Sequence, residues 1–272
     1  MNLHRYSLLV MILALLVILS GAYITSTEVA ARQSQSAVSL ALHEGLHRAL
    51  AIAFVILTCG LAIWTTADTK SRALQVVAWS AAGVVIADAA LAWHAAPLTP
   101  AVGVFHALLA HLLLSLVVVV TVGTSSLWRC EPELVDGSIR PLLRPLVVAI
   151  PPTVFLQITL GAVYRHDITS VMPHMAVAMG VALLALIGSS QVLQNFPRPA
   201  AMRHAVIALI SIVLTQVCLG ITAFLMLLMN SAGTSYFILV TVGHVAVGAA
   251  TLAASIVMAM QVWRSVAPRP RD

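Results

Sequence analysis

Residues 101–124 read AVGVFHALLAHLLLSLVVVVTVGT. The run contains no Asp, Glu, Lys or Arg and exceeds the about 20 apolar residues that carry a helix across a bilayer. Lipid offers no partners to open backbone groups, so a segment that crosses alone must be a helix. The same reading extends along the chain, with apolar runs at about residues 6–24, 47–66, 73–93, 101–124, 146–164, 174–193, 205–229 and 235–262. Hydrophobic residues are 61% of the 272 and charged residues 8%. Soluble domains hold roughly 45–50% and about 25%, so too few charges are present to cover a water-exposed surface. The composition predicts an all-α polytopic membrane protein with eight transmembrane helices, and the lipid bilayer is its first partner.

The first run, preceded by Arg5, is about 19 residues long, beyond the roughly 7–15 of a signal-peptide core, so a retained helix is expected. The net charge of +5 does not indicate nucleic acid, because the basic residues form neither a run nor an amphipathic face. They stand at the ends of apolar runs. With the N-terminus inside, the inner segments hold Arg5, Lys70, Arg72, Arg129, Arg140, Arg144, Arg198, Arg203, Arg264, Arg269 and Arg271, and the outer side keeps Arg32, Arg48 and Arg165. The positive-inside rule therefore predicts two cytoplasmic termini in a cell inner (cytoplasmic) membrane. Cys59, Cys130 and Cys218 carry no pairing signal, and no structural disulfide is expected.

The longest inner loop, 125–145, divides the spans four and four. The expected organisation is an N-terminal four-helix bundle at 1–128, a cytoplasmic linker at 129–145 and a C-terminal four-helix bundle at 146–272. The halves resemble each other weakly. Ser20-Gly21-Ala22-Tyr23 closes the first span and Gly161-Ala162-Val163-Tyr164 the fifth, while Gln-x3-Gly occurs as Gln157…Gly161 and Gln216…Gly220. An even number of spans per half predicts a parallel repeat about an axis along the membrane normal. Close helix packing also favours such small residues.

Ten histidines occur in this apolar chain. Ionisable residues inside a membrane are costly and are functional candidates by default. His47, His106, His174 and His244 fall on the second, fourth, sixth and eighth spans, each within a few turns of the outer end. A lone histidine there would be a hydrogen-bonded structural residue. Four at matched depth on alternate helices point instead to metal ligation, with facing pairs that clamp a haem inside a helix bundle. His111 is five residues after His106 and points about 140° away from it. His43 shares a helix face with His47 but lies near the lipid boundary. His166 either caps a site or sits in the interface, and His4, His94 and His204 stand near helix ends.

Glu44-Gly45-Leu46-His47-Arg48 resembles the Glu-x-x-His-Arg motif of the haem A synthase family. Gln157 to His166 is similar to that family's fifth-helix signature, with His174 following at the head of the next helix. Gln216-Val217-Cys218-Leu219-Gly220 and Gly243-His244-Val245-Ala246-Val247-Gly248-Ala249 resemble its seventh and eighth helices, and His106-Ala107-Leu108-Leu109-Ala110 its fourth. The resemblance runs in order along nearly the whole chain. It implies two four-helix bundles, haem b held by His174 and His244, and an active site of Glu44, His47 and His106 around substrate haem O. The implied reaction oxidises a ring methyl of haem O to the formyl of haem A for cytochrome oxidase. Implied partners are haem O, a haem O synthase and a membrane electron donor. A homo-oligomer is left open.

The chain departs from that pattern in its first half. The outer loop at 25–42 lacks the cysteine pair of many members and the Gly-rich, Pro-containing stretch, and Val85-Ile86-Ala87-Asp88-Ala89 stands where the family has Gln-x-x-Leu-Gly. Asp88 is either a neutral acid hydrogen-bonded within the bundle, or a proton relay or partner to a pocket histidine. Arg48 and Arg165 either pair with haem propionates, whose carboxylates match the arginine fork, or snorkel at the interface. Two other readings remain: a di-haem b-type, quinol-linked electron-transfer protein, which needs the histidines but not Glu44, and a non-catalytic haem-binding assembly factor.

Overall fold

The computed structural model describes residues 2–34, 40–94, 99–137, 142–195 and 200–266. Arg140, Arg198, Arg269 and Arg271 of the inner basic set, and residues 35–39 of the first outer loop, lie outside them. Among the described residues the chain forms nine helices and no strand: α1 (Leu3–Ser34), α2 (Ala41–Asp68), α3 (Arg72–His94), α4 (Pro100–Thr124), α5 (Ser126–Arg129), α6 (Leu143–Arg165), α7 (Met172–Asn195), α8 (Ala200–Leu228) and α9 (Ser235–Ser265). All but α5 are long and apolar enough to cross a membrane. The shortest of these eight have 23 residues, about 34 Å at 1.5 Å per residue. Cys59, Cys130 and Cys218 are all free thiols.

Local chemistry sets the helix ends. Thr99 and Thr234 accept from Val102 and Phe237 backbone N–H groups and so cap α4 and α9. At the other end of α6, Asp167 takes the left-handed conformation (φ 57°). Asp167 N–H and Ile168 N–H turn back to the Tyr164 and Val163 carbonyls, a Schellman stop. Asn230 (φ 55°) ends α8 by the same device. Several hydroxyls inside the spans bond carbonyls of their own helices, as Thr121 does to Val117 and Thr251 to Val247, which satisfies them without water.

Packing brings the helices into two rings. α1 lies against α2, α2 against α3, α3 against α4, and α4 returns to α1; α6, α7, α8 and α9 close in the same order. The rings meet where α1 and α4 touch α9 and α4 touches α6. α4 and α9 accordingly carry long buried faces, including Leu113, Leu114, Val117 and Val118 of α4 and Leu252, Met258 and Val262 of α9. The outward helices show apolar stripes instead, such as Ile52, Ile56 and Ile63 on α2 and Met179, Leu183 and Ile187 on α7. Those stripes are the lipid-facing surface that the composition requires.

Two expectations are corrected. The first span does not stop at residue 24; α1 continues to Ser34. Its polar Thr25 and Thr27 bond back to Gly21 and Tyr23 carbonyls, and Arg32 pairs with Asp167 at 2.6 Å. Residues 125–145 are also not a plain loop. α5 occupies its start, and Val135 bridges to Val266 with its N–H on the Ser265 carbonyl at 2.9 Å. Arg264 of α9 donates to the Leu127 and Cys130 carbonyls and lies over the Trp128 ring.

Candidate functional site

In each ring the histidines come from diagonally opposed helices. His47 on α2 faces His106 on α4, with ring centroids 6.2 Å apart and planes at 84°. His174 on α7 faces His244 on α9 at 6.1 Å and 78°. The helices between them supply what holds the rings. Ser20 of α1 meets His47 Nδ1 at 2.7 Å, and because its hydroxyl donates to the Val17 carbonyl it accepts the imidazole N–H. Asp88 Oδ1 on α3 lies 2.8 Å from His106 Nδ1. Gln157 of α6 meets His174 Nδ1 at 2.9 Å, and Gln216 of α8 meets His244 Nε2 at 3.2 Å.

Three rings also rest where only a hydrogen stands on the neighbouring helix. A Cβ on Gly21 would come within 3.3 Å of His47, one on Gly161 within 3.1 Å of His174 and one on Gly220 within 3.0 Å of His244. At these distances a Cβ would press on each ring by a few tenths of an ångström, which gives the Gln-x3-Gly recurrence its meaning. The glutamine holds the imidazole and the glycine one turn on makes room for it.

The other sequence candidates lie around these pairs. Glu44 is in the first turn of α2, about one turn before His47, with its side chain 47% exposed and 3.7 Å from Arg48. Neither of these two residues touches a histidine of the pairs by hydrogen bond. Arg165 donates to the Ala22 carbonyl and the Ser26 hydroxyl of α1, both at 3.1 Å, and Thr241 of α9 also donates to Ser26. The guanidinium thus joins the two rings, from the C-terminal end of α6 to α1. His43 stacks on Tyr23, ring centroids 4.7 Å apart. His111 is buried and bonds the Ala107 carbonyl of its own helix, and His4 meets the Thr121 carbonyl.

His166 was left between two roles by the sequence, and its position joins the halves. Its ring lies on Gly103, one turn before His106, where any Cβ would overlap it. Burial first, and then the Arg165 guanidinium, hold its pKa below the ordinary histidine value, against the opposing pull of Asp167. The unfolded chain takes up this proton near about pH 6.5 and the folded chain resists it. The stability linked to His166 is therefore full above about pH 6.5 and falls as the pH drops below it. Thermal unfolding in detergent from about pH 7.5 to about pH 5.5 should show a shallower acid loss for His166→Gln than for the unchanged chain. An identical slope would remove His166 from the acid response.

The donor set bears on what the pairs could hold. Among the described residues no group of three or more His, Cys, Asp or Glu side chains converges as a metal site. Two facing imidazoles suit an ion that brings its other ligands with it, as haem iron does. An imidazole nitrogen stands about 2 Å from the metal it binds, so rings on opposite sides of one iron have centroids about 6 Å apart. Both pairs have that separation. At the second pair, Gln157 Oε1, Gln216 Oε1 and His244 Nδ1 are buried without a partner among the described residues. Unsatisfied buried polar atoms of this kind call for a partner such as a water, an ion or a ligand. The first pair leaves Nε2 of both rings open to a haem iron, whereas at the second pair the Gln157 and Gln216 amides meet the ring nitrogens and would have to turn away before an iron could bind there.

Fold and site together define an eight-span helical membrane protein with a facing histidine pair in each of two helix rings. No family model and no curated protein matches the chain.

Proposed function

We propose that the chain is a membrane oxidoreductase of the haem A synthase type, which converts haem O to haem A by oxidising a ring methyl to a formyl group. The observation that carries this reading is the pair of histidine couples, each at about 6 Å ring separation, one per helix ring. In this reading His174 and His244 hold a resident haem b, whose chemistry when bound is one-electron transfer. His47 and His106 grip substrate haem O. Ser20 and Asp88 fix their rings by holding Nδ1, which leaves Nε2 of each for the substrate iron. Glu44 moves protons between the substrate edge and water, and Arg48 answers a propionate. Arg165 acts through α1, at the seam between the rings.

The shared neighbour order of the rings supports a parallel two-fold repeat along the membrane normal, with substrate in the first four-helix bundle and haem b in the second. The basic-residue distribution supports two cytoplasmic termini, and the resemblance to the haem A synthase family implies the cell inner (cytoplasmic) membrane. Methyl to formyl is a four-electron oxidation that adds one oxygen atom, so this chemistry asks for an oxidant, dioxygen working with a membrane electron donor, and for a haem O synthase that supplies the substrate.

One observation favours a second reading, a di-haem b-type electron-transfer protein. Glu44 pairs with Arg48 and touches neither His47 nor His106. Extraction and chromatography of the haems carried by the protein, purified from cells that make haem O, separates the two. Haem O or haem A beside haem b is the expected result. Haem b alone at both pairs would establish the electron carrier, and a haem-free protein would overturn both.

A further inference from the structure

The two histidine pairs differ in the charge of what supports them. Asp88 is the only carboxylate in the buried class among the described residues, at 7% exposure. Its side chain and that of His106 are 10% and 24% exposed, at 2.8 Å. The contact places a carboxyl group directly behind His106 Nδ1, and with Asp88 as the carboxylate, which only accepts, His106 Nδ1 is the donor. The other three supports are neutral: the Ser20 hydroxyl and the Gln157 and Gln216 carboxamides. At the second pair those amides approach the ring nitrogens as N–H groups, and no charge stands behind them.

We infer that Asp88 is the residue that makes the two sites electronically unequal, by rendering His106 the strongest electron donor of the four histidines and the iron between His47 and His106 the lower in midpoint potential. The inference rests on the haem reading above and adds an order to its two sites. A carboxylate behind a ligating imidazole fixes the ring and raises its basicity. A negative charge in a low-dielectric interior stabilises the oxidised, more positive iron over the reduced one. Gln157 and Gln216 orient their rings without that charge. With haems in both pairs, an electron would rest preferentially at the second, where no carboxylate stands behind the ligands. Asp88 is a positioning residue here, since it acts only through His106.

The test is potentiometric and needs no turnover. The full chain is purified in detergent, loaded with haemin, and titrated optically as wild type, Asp88→Asn, His106→Ala and His244→Ala. Asn keeps the shape and an acceptor for the Nδ1 proton but removes the charge. Two waves are expected in the wild type; His106→Ala should remove the lower and His244→Ala the higher. Asp88→Asn should move the lower wave upward and leave the higher in place. A lower wave that disappears in His244→Ala, or one that Asn leaves unmoved, overturns the inference while leaving the haem reading intact. Failure of haemin to bind at either pair, or binding indifferent to both histidine substitutions, overturns the haem reading itself.

If Asp88→Asn does not hold haem, ring nitrogen NMR of the histidine-labelled haem-free wild type decides the matter. A proton on Nδ1 and a bare Nε2 at His106 support the inference, and a proton on Nε2 alone overturns it.

Discussion

Replacing His174 or His244 by Ala should abolish the bis-histidine haem b spectrum of the second pair while the first pair keeps its occupant. In the proposed reading each imidazole is one of two protein ligands, and no group of three or more His, Cys, Asp or Glu converges there among the described residues to substitute for it. The two pairs lie in separate rings, on α2 and α4 and on α7 and α9, so losing one ligand set leaves the other intact. The fold should survive, because the packing of α9 rests on Leu252, Met258 and Val262 rather than on His244. What is lost is the stabilisation by the bound group, about 2.7 kcal/mol for a ligand at a hundredfold excess over its Kd, visible as a lower Tm. Gly220→Ala provides a graded companion. Its Cβ would press on the His244 ring from 3.0 Å, so haem occupancy should fall without vanishing. The measurements are the reduced-minus-oxidised spectrum and the ratio of haem to protein. Unchanged spectra in both His→Ala variants would mean that these are not the ligands.

The eight spans were legible because hydrocarbon allows a lone crossing segment no other structure, and apolar runs such as 101–124 report that constraint directly. Their ends were less legible. Thr25 and Thr27 look like loop residues until their hydroxyls are seen to serve carbonyls of the same helix. The four histidines stood out because each is expensive where it lies. Their supports did not. Whether Ser20, Gln157 or Gln216 reaches a ring depends on the rotation and register of two helices, which a one-dimensional pattern does not contain. The Gln-x3-Gly recurrence was visible, but its use as a ring cradle was not. Asp88 was visible as an anomaly, and its partner became clear only when α3 and α4 were side by side. Arg165 and His166 were read beside a site or at an interface. Their contacts to Ala22, Ser26 and Gly103 join residues far apart in sequence.

Glu44→Gln should fold, keep haem b at His174 and His244, and accumulate haem O or its hydroxymethyl intermediate in place of haem A. Glu44 closes the first turn of α2, its N–H on the Leu40 carbonyl at 2.9 Å, and shares a face with His47 one turn on. Its half-exposed side chain can exchange protons with water, and the proposal sets it at the edge of a group held between His47 and His106. Two structural roles compete with that one. An acid in a first helical turn gains about 0.3–1 kcal/mol from the helix dipole. The Arg48 pair, at 3.7 Å and exposed on both sides, belongs to the i,i+4 class worth about 0.3–0.5 kcal/mol. Gln gives up most of both, which amounts to a small loss of Tm and no change in product. A positioned acid or base contributes roughly 10²–10⁴-fold to rate, about 2.7–5.4 kcal/mol of barrier, and Gln cannot supply it because its amide takes up no proton. Product analysis at matched protein level therefore separates the roles by a wide margin. Normal haem A formation by Glu44→Gln would leave Glu44 as a helix-start residue and transfer the case to the electron carrier, which needs the four histidines and makes no use of this carboxylate.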